Sequence, residues 1–221
     1  MVGGMSAPAL PTLPRRDLEA RARLHAAAAR AAPTVLARDR LLLVDGPVGE
    51  FLPAGGVRRG STVALDGPPG AGSTTVACAL AAAATSVGEW AAVVDPDGTF
   101  GGRAAADAGV ALERCAVVRR VPPDRWSTVV AALLDGIAVV VAAVPPHVRT
   151  GDARRLTARA RERAAVLVAL GDWPAEASMR LHVRAGAWHG LDAGSGLLAA
   201  RDLEVRVEGK HTQRRAFAQA G

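Results

Sequence analysis

Short apolar runs alternate with helix-forming runs through the middle of this chain, and that alternation constrains the fold more than any other feature. "GSTVALDG", "EWAAVVDPDG", "RCAVVRRV", "IAVVVAAV" and "AVLVALGD" are β-branched, apolar and of strand length. Between them lie "STTVACALAAAATSVG", "GRAAADAG", "PDRWSTVVAALLDG" and "GDARRLTARARERA", rich in strong helix formers. Strands apolar on both faces must be covered on both faces, and parallel neighbours need crossover helices. The expected fold is therefore α/β, a mostly parallel β-sheet flanked by helices. After Pro174 the rhythm becomes an alternation, in Arg180-Leu181-His182-Val183 and again in Leu203-Glu204-Val205-Arg206-Val207. It predicts closing antiparallel β-hairpins, half exposed and separated by glycine turns, that extend one edge of the sheet. At the other end Asp17 caps "DLEARARLHAAAARAA", an exposed N-terminal helix with a thin apolar stripe, and "RLLLVDG" follows as a short strand. The expected division is 1–38 as extension and helix, 39–210 as one domain, and 211–221 as a basic, mobile tail.

Composition narrows the class further. Half of the 221 residues are hydrophobic, yet the longest apolar runs, such as Ile137 to Val144, are far too short to cross a bilayer. The start lacks the charged region and apolar stretch of a secretory signal, so the chain is expected to be cytoplasmic, without a membrane partner. Cys78 and Cys115 are the only cysteines and have no CxxC spacing, which gives a disulfide framework or a zinc site no support. The formal charge of +6 rests on arginine, because Lys210 is the only lysine. Arginine suits phosphates and carboxylates, which keeps nucleic acid and acidic proteins open as partners alongside a merely solvated surface.

The segment that carries chemistry is "GPPGAGSTT", Gly67 to Thr75. Gly67, Gly70 and Gly72 follow a strand and precede a helix, the context in which backbone amides and a helix N-terminus cradle phosphates. Thr74 stands where a phosphate loop keeps its magnesium-binding hydroxyl, next to Thr75, but Ser73 occupies the place of the lysine. Serine donates a hydrogen bond and neutralises no charge. Losing one charge-assisted contact of this kind costs about 2–3 kcal/mol in binding. The neighbouring strand that should end in a magnesium-holding acid ends instead in Ala142, Ala143 and Val144. Asp95 and Asp97, flanking Pro96, are water-orienting candidates or simple turn formers. The residues point to a degenerate, binding-only nucleotide site rather than an active ATPase.

The stretch "LPAGGVRRGSTVALDGPPGAGSTT", Leu52 to Thr75, resembles the segment of the recombinase RecA in which a glycine pair, a basic stretch and a strand lead into the phosphate loop. "WAAVVDPDGTFGGRAAADAGV" is similar to the RecA strand that delivers a catalytic glutamate, with Asp97 at that position, and "IAVVVAAVP" falls on the magnesium-binding strand without its acid. The similarity spans roughly residues 40 to 210 and implies a RecA-like P-loop core for 39–210. The loops "PPHVRTGDARR" and "GDWPAEAS" are too short to be the two DNA-binding loops of RecA. A RecA-like core with a decayed nucleotide site resembles the ImuA-type accessory proteins of high-GC bacteria.

That resemblance implies a non-catalytic scaffold in damage-induced translesion synthesis. Its implied partners are an ImuB-type Y-family polymerase homologue and an error-prone replicative-type polymerase, with DNA contacted indirectly or weakly. It also implies a cytoplasmic protein that joins the nucleoid after damage, no required cofactor, weak ATP and magnesium binding at most, and no resident metal. Lys210, with Arg206 nearby, falls where RecA lysines reach the neighbouring subunit's nucleotide, or is a solvated strand end. A DNA-dependent ATPase or recombinase, and a SulA-like division inhibitor, are the competing readings. His182 and His189 have no acid or cysteine at metal spacing. Trp90, Trp126, Trp173 and Trp188 are expected to be mostly buried, with room for one partner anchor.

Overall fold

Leu41–Leu43 (β1) and Gly56–Arg58 (β2) form a small antiparallel pair, with helix α1, Gly46–Phe51, between them in the chain. In this computed structural model the described residues are 40–192, 195–209 and 212–220. The main sheet is then laid down in sequence: β3 Thr62–Asp66, α2 Ser73–Ser86, β4 Ala91–Asp95, α3 Gly102–Asp107, β5 Cys115–Arg119, α4 Trp126–Leu134, β6 Val139–Ala143, α5 Thr150–Arg163 and β7 Val166–Leu170. Three long strands close it: β8 Met179–Asp192, β9 Ser195–Gly209 and β10 Thr212–Ala220. The order across the sheet is β10-β9-β8-β3-β7-β6-β4-β5. The six strands from β8 to β5 are parallel, and β9 and β10 are antiparallel additions.

The apolar runs divide by residue parity, as a strand requires. Val63, Leu65, Val93, Val141 and Val168 point to one face, where Val76 and Leu80 of α2 cover them. Ala64, Val94, Val140 and Leu167 point to the other, under Trp126, Val130 and Leu134 of α4 and Ala153, Leu156 and Ala160 of α5. That last trio, spaced three and four apart, is the whole buried stripe of an otherwise charged helix. Asp152 in the first turn of α5 and Arg161 and Arg163 in its last oppose the helix macrodipole. Asp135, at the end of α4, accepts from Arg159 Nε at 2.8 Å and lies 3.1 Å from Arg163 Nε. The Arg159 hydrogen bond holds its carboxyl below the usual carboxylate range.

The alternation after Pro174 describes β8 and β9, but β8 itself lies parallel to β3, inside the sheet. The glycines read as turns lie within β8, where the register with β9 shifts between Ala185 and Trp188 and again between His189 and Leu191. Gly190 has φ +104°, and a methyl at Gly186 would crowd Asp202 Cβ at 2.6 Å. They are the sites at which a long ribbon bulges rather than ends.

Thr212–Ala220 corrects the expectation of a mobile tail. It pairs along its length with β9, Thr212 opposite Gly209 and Ala220 opposite Arg201. A free strand edge recruits backbone, which hydropathy does not register. Arg40–Gly221 is accordingly one compact unit, where the sequence set the tail apart. The helix over 17–32 and Lys210 lie outside the described residues, and no described helix is long and apolar enough to cross a membrane.

Candidate functional site

β3 ends at Asp66, and the chain passes through the glycine loop directly into α2. Gly72, at φ +104°, is the N-cap residue of α2 and Gly70 has φ +75°, conformations that favour glycine. No side chain caps the helix. Its first bond runs from Val76 N to Gly72 O (3.2 Å), so the N–H groups of Ser73, Thr74 and Thr75 have no intrahelical acceptor. Pro68, Pro69, Gly70 and Thr74 are exposed. Unpaired amides at a helix N-terminus are donors suited to an anion.

The same loop is packed hard from below. A methyl at Gly67 would overlap the Val183 carbonyl oxygen of β8 and lie 3.0 Å from Ser73 Oγ, and a methyl at Gly72 would overlap Leu203 Cδ2 of β9. Ser73 Oγ is buried and has no hydrogen-bond partner among the described residues. The residue at the lysine position thus turns its hydroxyl into the protein, towards Gly67.

The other expected positions separate. Asp95, 3% exposed, accepts from Thr99 N and Phe100 N at 2.9 Å each and from Thr99 Oγ1 at 3.3 Å, and Arg119 Nε lies 3.6 Å away. It holds the turn after β4, while Asp97 is exposed in that turn. β6 ends in buried Ala142 and half-buried Ala143, with Val144 N bonded to Leu170 O of β7 at 2.8 Å. The loop from β7 to β8 is pinned from beneath by Arg180, whose Nη2 donates to Trp173 O (3.1 Å) and Ala175 O (2.7 Å).

Beside the loop stands a polar cluster that sequence spacing does not reveal. Asp66 is opposite His182 in the β3–β8 register, and His182 Nδ1 lies 2.6 Å from Asp66 Oδ1. His182 Nε2 lies 3.3 Å from Glu208 Oε2 of β9, without the alignment of a hydrogen bond, and Arg206 Nε lies 3.3 Å from Glu208 Oε1. Asp66 and His182 are 116 residues apart, and only their register brings them together. His189 pairs with Asp202 at 2.9 Å. Among the described residues no group of three or more His, Cys, Asp or Glu could hold a metal ion.

Trp126 and Trp173 are buried, while Trp90 and Trp188 are exposed, Trp188 beneath the Arg201 guanidinium at 5.0 Å. Cys78 is buried and its thiol is pushed up to about 11 by desolvation and then by the neighbouring Cys115, itself raised by burial. Neither is a nucleophile at neutral pH.

Compared with known proteins, residues 50–175 match the family model described as the MT3502 N-terminal domain. That span runs from α1 through β7 and includes the whole glycine loop. No curated protein matches the chain.

Proposed function

The chain belongs to the MT3502 N-terminal domain family, and we propose that it works as a non-catalytic accessory protein with a RecA-like P-loop core, docking an ImuB-type Y-family polymerase homologue in damage-induced translesion synthesis. One observation supports the loss of catalysis: a glycine loop leads from strand to helix as a phosphate loop does, and neither the lysine nor the magnesium-holding acid of such a loop is in place. The amides of Ser73 to Thr75 stand free at the start of α2, but Ser73 Oγ is buried, and the strand that should supply a magnesium-holding acid ends in Ala142 and Ala143. Gly67, Gly70 and Gly72 with Thr74 and Thr75 would hold a phosphate through backbone and hydroxyl donors alone. Without the lysine, the affinity falls by about 2–3 kcal/mol, roughly 30- to 150-fold. Asp97, free of the turn-holding role that Asp95 takes, remains as a remnant of the catalytic acid. Lys210 is proposed at most as a contact to a neighbouring subunit's phosphate.

The RecA-like reading is supported further by β3 leading into the loop from the middle of a parallel sheet, and by antiparallel strands closing that sheet at one edge. The short loops after β6 and β7, the latter pinned by Arg180, favour docking over recombination. In this reading the protein acts in the cytoplasm and joins the nucleoid after damage, with an error-prone replicative-type polymerase in the same assembly and no required cofactor. A pull-down with an ImuB-type homologue, paired with an ATPase assay in the presence of single-stranded DNA, tests it. Capture of the homologue with no turnover is expected. Failure to capture any Y-family homologue removes the docking reading, and DNA-stimulated hydrolysis removes the non-catalytic one.

A further inference from the structure

Most arginines on the outer side of α5 are neutralised. Arg155 pairs with Asp152, and Arg159 and Arg163 both pair with Asp135. Arg154 and Arg161 are the exceptions: both are exposed and neither has an acid partner among the described residues. Seven residues apart, they lie on one face of the helix, about 10.5 Å along its axis.

The stripe continues off the helix. Gly60 sits against the end of α5, a methyl there lying 3.2 Å from Arg161 Cα, and Gly60 N donates to Ala165 O at 3.1 Å. Gly60 belongs to the turn after β2, which carries Arg58, and Arg59 N in the same turn donates to Arg40 O at 2.6 Å. Arg40 and Arg58 are also exposed, with no acid partner among the described residues. Of the surrounding carboxylates, Glu89 is bonded to Arg59 and Asp135 to Arg159 and Arg163, while exposed Glu162 follows Arg161 in the helix.

We propose that Arg154, Arg161, Arg58 and Arg40 form a track for the sugar-phosphate backbone of a nucleic acid, running along α5 onto the end of the β1–β2 pair. Four exposed guanidinium groups without acid partners among the described residues, two on α5 and two at the strand pair beside the turn that packs on its end, fit a linear polyanion. Each is a planar fork matched to phosphate oxygens, and the Arg154–Arg161 separation of about 10.5 Å corresponds to about three base-pair rises along a duplex axis. With no aromatic platform in the track, it reads backbone and not sequence. The track lies on α5 and the end of the β1–β2 pair, outside the glycine loop, and does not depend on the docking reading.

The experiment is fluorescence anisotropy of the full chain with labelled single-stranded DNA, duplex DNA and RNA from 50 to 200 mM salt. Four phosphate contacts predict a log–log slope near −3.6 on duplex and near −2.8 on single strands, on the order of a hundredfold loss on duplex over that range. Arg154→Ala and Arg161→Ala should each reduce the slope by about 1, and together by about 2, for any sequence. Arg155→Ala, which removes a paired arginine from the same helix, should leave it unchanged. Circular dichroism confirms that the variants fold. An unchanged slope in the Arg154→Ala/Arg161→Ala double variant, or no binding at all, overturns the proposal. So does equal affinity for polyglutamate or for vesicles of anionic lipid, which would assign the track to an acidic protein or a membrane surface. The polymerase pull-down is indifferent to these outcomes, so either idea can fail alone.

Discussion

Replacing the three loop glycines one at a time by alanine should produce three different losses, because each meets something different. Gly70, at φ +75°, has nothing within 4 Å of an added methyl, so only the left-handed backbone is penalised, by about 1–2 kcal/mol. Gly72, at φ +104°, carries that cost and an overlap with Leu203 Cδ2. Leu203 is 1% exposed and has little room to swing, which adds the roughly 1–3 kcal/mol of an overpacked core, for about 2–5 kcal/mol in all. Gly67 meets the Val183 carbonyl oxygen, a backbone atom fixed in the ladder, and Gly67→Ala should be the most damaging of the three. The decisive measurement is a double-mutant cycle by urea unfolding. Leu203→Ala alone costs about 2–5 kcal/mol through its cavity, but it also opens the space that the Gly72→Ala methyl needs. The double variant should therefore be about 1–3 kcal/mol more stable than the sum of the singles predicts. Leu203→Ala should not rescue Gly67→Ala. Additivity of Gly72→Ala with Leu203→Ala to within about 0.5 kcal/mol, or equal losses at Gly70 and Gly72, would refute the packing of the loop on β9.

Two further outcomes follow from buried polar groups. The folded state keeps the Cys78 proton up to about pH 11, whereas an unfolded thiol loses it near pH 9. The stabilisation is complete below about pH 9 and is lost as pH rises towards 11, a decline of about 2–3 kcal/mol that Cys78→Ala should lack; parallel stability profiles from pH 8 to 11 would contradict it. Asp95→Ala leaves the Thr99 and Phe100 amides without acceptors and should cost about 2–4 kcal/mol, against about 0.5 kcal/mol or less for exposed Asp97→Ala. Equal urea midpoints for the two variants would undo the assignment of Asp95 as the turn holder.

Parity and length made the centre of the fold legible. Val63 and Leu65 against Ala64, or Val93 against Val94, already separate the two faces that α2 and α4 with α5 go on to cover. Where signals were local, as in the apolar run of β6 or the loop ahead of α2, the residues alone sufficed. What failed was whatever depends on pairing. β8 is antiparallel to β9, as its alternation suggests, but it is also parallel to β3 inside the sheet, because alternation reports only that one face is wet, not which way each neighbour runs. The two-to-two division of the tryptophans was equally hidden. Trp126 opens an amphipathic helix, so its burial follows from periodicity. Trp188 is exposed on the long ribbon of β8, and Trp90 just before β4, positions that periodicity does not mark.

The site divides along the same line, and the division changes what the glycine pattern means. From sequence, three glycines ahead of a helix imply a phosphate, because the familiar reason for such glycines is close approach of backbone to ligand. Here Gly67 and Gly72 have a second reason that involves no ligand. Val183 and Leu203 come from strands more than a hundred residues further along, and they fill the space that side chains at those two glycines would need. A chain that lost the lysine and the magnesium-holding acid would still be bound to both glycines by the packing of β8 and β9. Gly70, open on all sides, is held only by its positive φ. On the proposed reading the loop can outlast its chemistry for a physical reason: it is also the joint by which α2 is seated on the closing strands.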